Sequence, residues 1–131
     1  MSAKTLAVAA VVLAAGTLIA VKAARQRPAE ASVVARGGSP SVVLVADPRE
    51  AGTACGCGQI IRRVREAKTR GVHVEELDPS DPAVARYGVA VVPTVLMLGA
   101  DGRAIARHEG ESSETLAAIS AGLAALEGQK R

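Results

Sequence analysis

The chain has 131 residues, enough for one compact domain with a short appendage. It has one tyrosine and neither phenylalanine nor tryptophan, so its core has to be built from aliphatic side chains. The net charge of +3 comes from residues 1–40, where five basic residues stand against one acidic residue. The remainder is slightly acidic, which excludes a general affinity for nucleic acid.

The first predicted element is an apolar segment of 17 uncharged residues, 5–21, between Lys4 and Lys22. At about 1.5 Å per residue, a helix of this length reaches the lower limit for crossing a bilayer. We therefore expect residues 1–24 to form an N-terminal transmembrane anchor or an uncleaved signal. The region around a signal-peptide cleavage site is normally uncharged, whereas here Lys22, Arg25 and Arg27 occupy it. Residues 25–40, rich in Arg, Ala, Gly and Pro, are typical of a linker.

Residues 41–128 alternate short apolar runs with helical periodicity, which predicts one α/β domain. The β-branched run "SVVLVAD" (41–47) predicts a strand that is buried on both faces. The runs "VHVEEL" (72–77) and "TVLML" (94–98) predict two further strands. After the turn "ADG", the segment "RAIARHEG" (103–110) predicts a fourth, antiparallel strand.

Three helices are predicted to alternate with these strands. The first follows the two cysteines and ends at Gly71, and the second is short and ends at Gly88. The third has Ser112 or Ser113 as its N-cap and Gly128 beyond its end. The order βαβαββα predicts a three-layer α/β/α sandwich.

The segment "ARYGVAVVPTVLMLGADGRAIARHEG" (85–110) resembles the stretch of the thioredoxin family that runs from the third helix through the hairpin. The resemblance extends over about residues 42–126 and implies a trimmed thioredoxin fold. It also implies that Val92, Pro93 and Thr94 form the cis-proline loop, which binds substrate. In the family, the backbone of the residue before this proline pairs with an extended peptide, and here that residue is Val92.

The motif of this chain differs from that of the family, because Ala54-Cys55-Gly56-Cys57-Gly58 stands where thioredoxins have Trp-Cys-Gly-Pro-Cys. Matching the buried helix face aligns Cys55 with the nucleophilic cysteine and Gly58 with the resolving one, so that Cys57 lies one residue early. The other register makes Cys57 the resolving residue and turns the helix face by one position. The first register is preferred.

Cys55 is the predicted nucleophile, because the unpaired N–H groups and the dipole at a helix N-terminus stabilise a thiolate. By the resemblance, Cys55 attacks a substrate disulfide and Cys57 resolves the mixed disulfide. A ring closed by one intervening residue is strained, so we expect a more oxidising couple than in an ordinary thioredoxin. Gly56 and Gly58 are expected to relax the backbone limits of that ring.

The family also uses a buried carboxylate as a proton acceptor, and Asp47 is the candidate by position. The alternative is that Asp47 and Pro48 only begin a turn.

Two other functions are open from the residues alone. A CxC pair suits a soft metal such as Cu(I), with His73 and His108 as the only histidines. The other is a redox-silent interaction module, since a fold does not determine function.

No nucleotide, flavin or haem motif is present, so no cofactor is expected. The expected partners are protein thiols and disulfides, and the membrane through residues 5–21.

The charge distribution and the cysteine pair favour opposite locations for the domain. More Lys and Arg follow the apolar segment than precede it, which favours a cytoplasmic domain. An oxidising cysteine pair, by contrast, is suited to secreted substrates outside the cytoplasm. We predict a single-pass membrane anchor, with residues 41–128 outside the cytoplasm.

Overall fold

The computed structural model describes residues 38–129, and within them four strands form one mixed sheet. The strands are β1 (Ser41–Val45), β2 (His73–Leu77), β3 (Thr94–Leu98) and β4 (Ala104–Glu109). Their order across the sheet is β2-β1-β3-β4; β1 is parallel to β2 and antiparallel to β3, which pairs with antiparallel β4. The four predicted strands are confirmed.

The predicted anchor (1–24) and most of the predicted linker (25–40) lie outside the described residues. Between residues 38 and 129, the structure contains no helix with the length and apolar character needed to cross a bilayer.

Two α-helices, α1 (Gly56–Thr69) and α2 (Ser113–Gly128), cover one face of the sheet. Side chains alternate along β1, so Val42 and Leu44 meet these helices whereas Val43 and Val45 face the other side. The N-cap of α2 is Ser112, whose hydroxyl accepts a hydrogen bond from the Thr115 N–H at 3.1 Å. Gly128 is the last residue of α2 rather than a residue beyond it.

The second face of the sheet is covered by a 3₁₀ helix, Pro82–Tyr87, where the sequence pattern predicts a short helix. Asp81 caps it through the Ala83 N–H, and Gly88 ends it at a φ of 58°. Val84 and Tyr87 are three residues apart, which places both on one side of a 3₁₀ helix and against the sheet. The three layers are therefore present, with a 3₁₀ helix as one of them, and the architecture agrees with a trimmed thioredoxin fold.

A second 3₁₀ helix, Pro48–Gly52, lies between β1 and α1 and is not predicted by the sequence pattern. It carries the chain from the end of the central strand β1 to the N-terminus of α1, where the two cysteines lie.

Candidate thiol site

Cys55 is the N-cap residue of α1 and its side chain is exposed. Its Sγ lies 2.8 Å from the Thr53 Oγ1. The Thr53 hydroxyl, followed by the backbone N–H groups of Gly58 and Cys57, holds the pKa of Cys55 below that of an ordinary thiol. Partial desolvation and, more weakly, the Glu111 charge oppose this effect. Cys55 is therefore the more acidic of the two thiols and the one that solvent reaches.

The Thr53 hydroxyl has one proton and two neighbours that compete for it. In the structure it donates to the Glu50 carbonyl at 2.7 Å, so a protonated Cys55 donates its S–H to Thr53 Oγ1. When Cys55 ionises, the hydroxyl has to rotate and donate to the thiolate. The loop thus holds a donor in place for the charged form of Cys55.

Cys57 lies in the first turn of α1 and is only 3% exposed. Its side chain is part of the core between the sheet and the two α-helices. Burial, with a further contribution from the Glu50 carboxylate, raises the pKa of Cys57 to about 12. Its backbone N–H donates to the Glu111 Oε2 at 3.2 Å. At neutral pH the Cys57 thiol is therefore protonated.

Asp47, the predicted proton acceptor, forms local contacts at the end of β1. It caps the 3₁₀ helix Pro48–Gly52 by accepting the Arg49 N–H at 3.0 Å, and the Arg49 guanidinium binds the same carboxylate at 2.7 Å. These contacts lower the pKa of Asp47. These are the contacts expected of the turn-forming alternative, and Asp47 as a proton acceptor stays a prediction. The carboxylates that act on the Cys57 thiol are those of Glu50 and Glu111.

Both glycines of the motif are in close contact with neighbouring backbone. A Cβ on Gly58 would lie 2.6 Å from the Glu50 carbonyl and the Thr53 hydroxyl, and would overlap the Thr53 carbonyl. A Cβ on Gly56 would overlap the backbone carbonyl of Glu111. Neither glycine has a positive φ, so close packing, rather than backbone freedom, requires them. Residue 58, which the preferred register aligns with the resolving cysteine of thioredoxins, has no room for a cysteine side chain.

The loop before β3 contains the predicted substrate-binding residues. The Val92-Pro93 peptide bond is cis, and Val91 and Val92 are each 44% exposed. Thr94 is fully buried and its hydroxyl donates to the Val91 carbonyl at 2.6 Å. The Val92 backbone forms no hydrogen bond with any of residues 38–129. Val92 thus presents an apolar side chain and an unpaired backbone.

The segment after β4 connects this loop to the cysteines. The Gly110 N–H donates to the Pro93 carbonyl at 2.9 Å, and the next residue, Glu111, holds the Cys57 N–H. Pro93 and Cys57 are therefore linked through the adjacent residues Gly110 and Glu111.

Three site residues are missed by sequence reasoning: Thr53, Glu50 and Glu111. For Thr53, the only feature of the sequence that indicates a role in the site is its position two residues before Cys55. Glu50 is placed by a 3₁₀ helix that no periodicity reveals. Glu111 is 54 residues from Cys57 and has no local signal.

The two histidines lie on the opposite edge strands β2 and β4. In the range that the structure describes, no group of three or more His, Cys, Asp or Glu side chains is arranged to hold a metal ion.

No known family model matches the chain, and no curated protein matches it in sequence. Among solved structures, thioredoxin O2 from Arabidopsis thaliana in the oxidised state is 20% identical, covering 67% of this chain and 77% of its own, with a TM-score of 0.49. The germline-specific thioredoxin Deadhead from Drosophila melanogaster is 19% identical, covering 70% and 87%, with a TM-score of 0.47. A DsbH oxidoreductase is 16% identical, covering 73% and 81%, with a TM-score of 0.44. At these identities, function has to be inferred from the chain's own site.

Proposed function

We propose that the protein is a membrane-tethered thiol-disulfide oxidoreductase in which Cys55 is the nucleophile. The observation that carries the proposal is the exposed Cys55 thiol at the N-terminus of α1, hydrogen-bonded to Thr53. A helix N-terminus and a nearby hydroxyl donor both stabilise a thiolate, which is the attacking species in disulfide exchange.

In the first step, the Cys55 thiolate attacks one sulfur of a substrate disulfide. A bond forms between Cys55 and that sulfur, the substrate S–S bond breaks, and the second substrate sulfur leaves as a thiolate that takes a proton from water. The exposed loop at Val91 and Val92 supports binding of an extended substrate segment, through apolar contact and through the Val92 backbone, which pairs with no group of residues 38–129.

In the second step, Cys57 attacks the Cys55 sulfur, closing a Cys55-Cys57 disulfide and releasing the other half of the substrate as a thiol. The substrate disulfide is thereby reduced and the cysteine pair oxidised, and the reverse sequence donates a disulfide. The Glu50 carboxylate, which contributes to the raised pKa of Cys57, is the proposed acceptor of the Cys57 proton. Residues two apart on a helix do not face each other, and Cys57 is buried, so this step requires the first turn of α1 to open.

To test the proposal, the full-length protein is equilibrated in a mild detergent with glutathione buffers of graded redox potential. The mass of the protein is then measured by mass spectrometry at each potential. The expected result is loss of two hydrogen atoms as the buffer becomes oxidising, with no such loss in Cys55→Ser. The variant Cys57→Ser should accumulate a mixed disulfide with glutathione on Cys55. If no loss of two hydrogen atoms occurs at any potential, in protein with normal thermal unfolding, the result contradicts the proposal.

We include in the proposal an anchor at residues 5–21 and a domain outside the cytoplasm. Because Cys55 is the exposed thiol of the pair, a membrane-impermeant maleimide is a direct reporter of topology. Labelling of Cys55 in intact cells is the expected result, with Cys55→Ser as the control for specificity. Labelling only after permeabilisation places the domain inside.

A further inference from the structure

Glu111 lies between β4 and the N-cap of α2, and it covers the N-terminus of α1. Its Oε2 accepts the Cys57 N–H at 3.2 Å, and its backbone carbonyl and Cβ lie against Gly56. The N–H groups at the start of α1 are the same donors that stabilise a Cys55 thiolate. The Glu111 carboxylate therefore shares the N-terminus of α1 with the reactive thiol.

We propose that Glu111 determines the charge specificity of the site, so that Cys55 reacts preferentially with disulfides that carry positive charge next to the sulfur atoms. The inference rests on the proposed function and adds a substrate class to it. Glu111 is a positioning and specificity residue here, since it acts through the helix N-terminus and through its charge.

The charges around the two cysteines support this assignment. The carboxylates that act on the thiols are those of Glu50 and Glu111. Of the nearby cations, Arg62 is directed at the carbonyls of Ala51 and Thr53, at 2.7 and 2.8 Å. Arg49, on the 3₁₀ helix, is paired with Asp47.

Arg107 on β4 is held in the same way, by Glu109 and by the carbonyls of Tyr87 and Gly88. These contacts direct the three guanidinium groups at loop carbonyls and at other carboxylates, whereas the exposed Glu111 carboxylate lies at the N-terminus of α1 itself. An approaching anion meets a like charge there, and an approaching cation meets an opposite one. Like charges at a reaction site lower the rate of encounter, and opposite charges raise it.

The experiment uses the full-length protein in a mild detergent and three disulfides of similar size: cystamine, hydroxyethyl disulfide and dithiodiglycolate, which are cationic, neutral and anionic. Rates of mixed-disulfide formation on Cys55 are divided by the rates for free cysteine. We expect cystamine to be favoured over dithiodiglycolate by about three- to tenfold, the range for one exposed charge. The preference should fall as salt rises from about 0.01 M to about 1 M, because the screening length shrinks about tenfold.

The variant Glu111→Gln keeps a hydrogen-bond acceptor for the Cys57 N–H while removing the charge. It should reduce the cystamine preference to the free-cysteine value and shift the alkylation profile of Cys55 to lower pH. The matched control is Asp101→Asn, which removes the same charge at the β3–β4 hairpin, at the other end of the sheet. An unchanged preference in Glu111→Gln, or a preference for the anionic disulfide in the unaltered protein, overturns the inference.

A parallel arm separates this inference from the proposed function. Iodoacetate and iodoacetamide are nearly equal in size, differ by one negative charge, and alkylate a thiolate without disulfide exchange. If no disulfide reacts but iodoacetate is disfavoured on Cys55 and Glu111→Gln removes the difference, the exchange function fails and the role of Glu111 stands. If the disulfides react without charge preference, the exchange function stands and the role of Glu111 fails.

Discussion

Replacement of Gly58 by alanine tests whether close packing fixes the geometry of the cysteine motif. Gly58 lies in the first turn of α1 and is buried. A Cβ added there would lie 2.6 Å from the Glu50 carbonyl and the Thr53 hydroxyl, and would overlap the Thr53 carbonyl. Two of these three atoms belong to the backbone, so a rotamer change cannot relieve the contacts.

The expected sign is opposite to that of helix propensity. Alanine in place of glycine within a helix is ordinarily stabilising by up to about 1 kcal/mol. Overpacking costs about 1–3 kcal/mol, and contact with two backbone oxygens places this site at the upper end. We therefore expect Gly58→Ala to lower the free energy of unfolding by about 2 kcal/mol. For a domain of this size, that corresponds to a decrease in Tm of about 8–16 °C.

The assay is thermal and urea unfolding followed by far-ultraviolet circular dichroism. The control is Gly52→Ala, because nothing lies within 4 Å of a Cβ built on Gly52. Gly52→Ala should leave Tm within a few degrees of the unaltered protein. A Gly58→Ala variant as stable as the unaltered protein, or more stable, would refute the packing argument and reopen residue 58 as a position for a resolving cysteine.

Three further predictions concern single contacts. Thr53→Val removes the hydroxyl that lowers the pKa of Cys55, so the midpoint of Cys55 alkylation by iodoacetamide should move to higher pH; an unmoved midpoint contradicts this role. Burial and the Glu75 carboxylate raise the pKa of Tyr87 from 10.0 to about 12, so its contribution to stability is complete below pH 10 and lost as pH rises to about 12. In Tyr87→Phe, Tm should therefore fall less between pH 10 and about 12 than in the unaltered protein. Identical plots of Tm against pH for the two proteins would contradict this role of Tyr87. Arg107→Ala should cost about 1–3 kcal/mol in urea unfolding, because it leaves the Tyr87 carbonyl without a charged donor, and a loss below about 0.5 kcal/mol would contradict the estimate.

Elements whose signals are local are well predicted from the sequence. The β-branched run at Val42–Val45 indicates the central strand, since a strand covered on both faces has no polar alternation to preserve. Ser112 caps α2 as its position before an apolar stripe indicates. Cys55 at the start of a helix is likewise visible, because the apolar spacing that follows it defines the helix face.

What the sequence by itself determined is thus the order of the strands and helices, the position of a thiol at a helix N-terminus, and the small aliphatic core. Only the tertiary structure decided which carboxylates act on the two cysteines, because Glu50 and Glu111 are placed by a 3₁₀ helix and by the turn after β4. It also decided that residue 58 must be glycine, since the atoms excluding a side chain belong to a loop folded back on the helix. Periodicity records which face of an element is buried, whereas contacts between distant segments depend on how the sheet and loops bring them together.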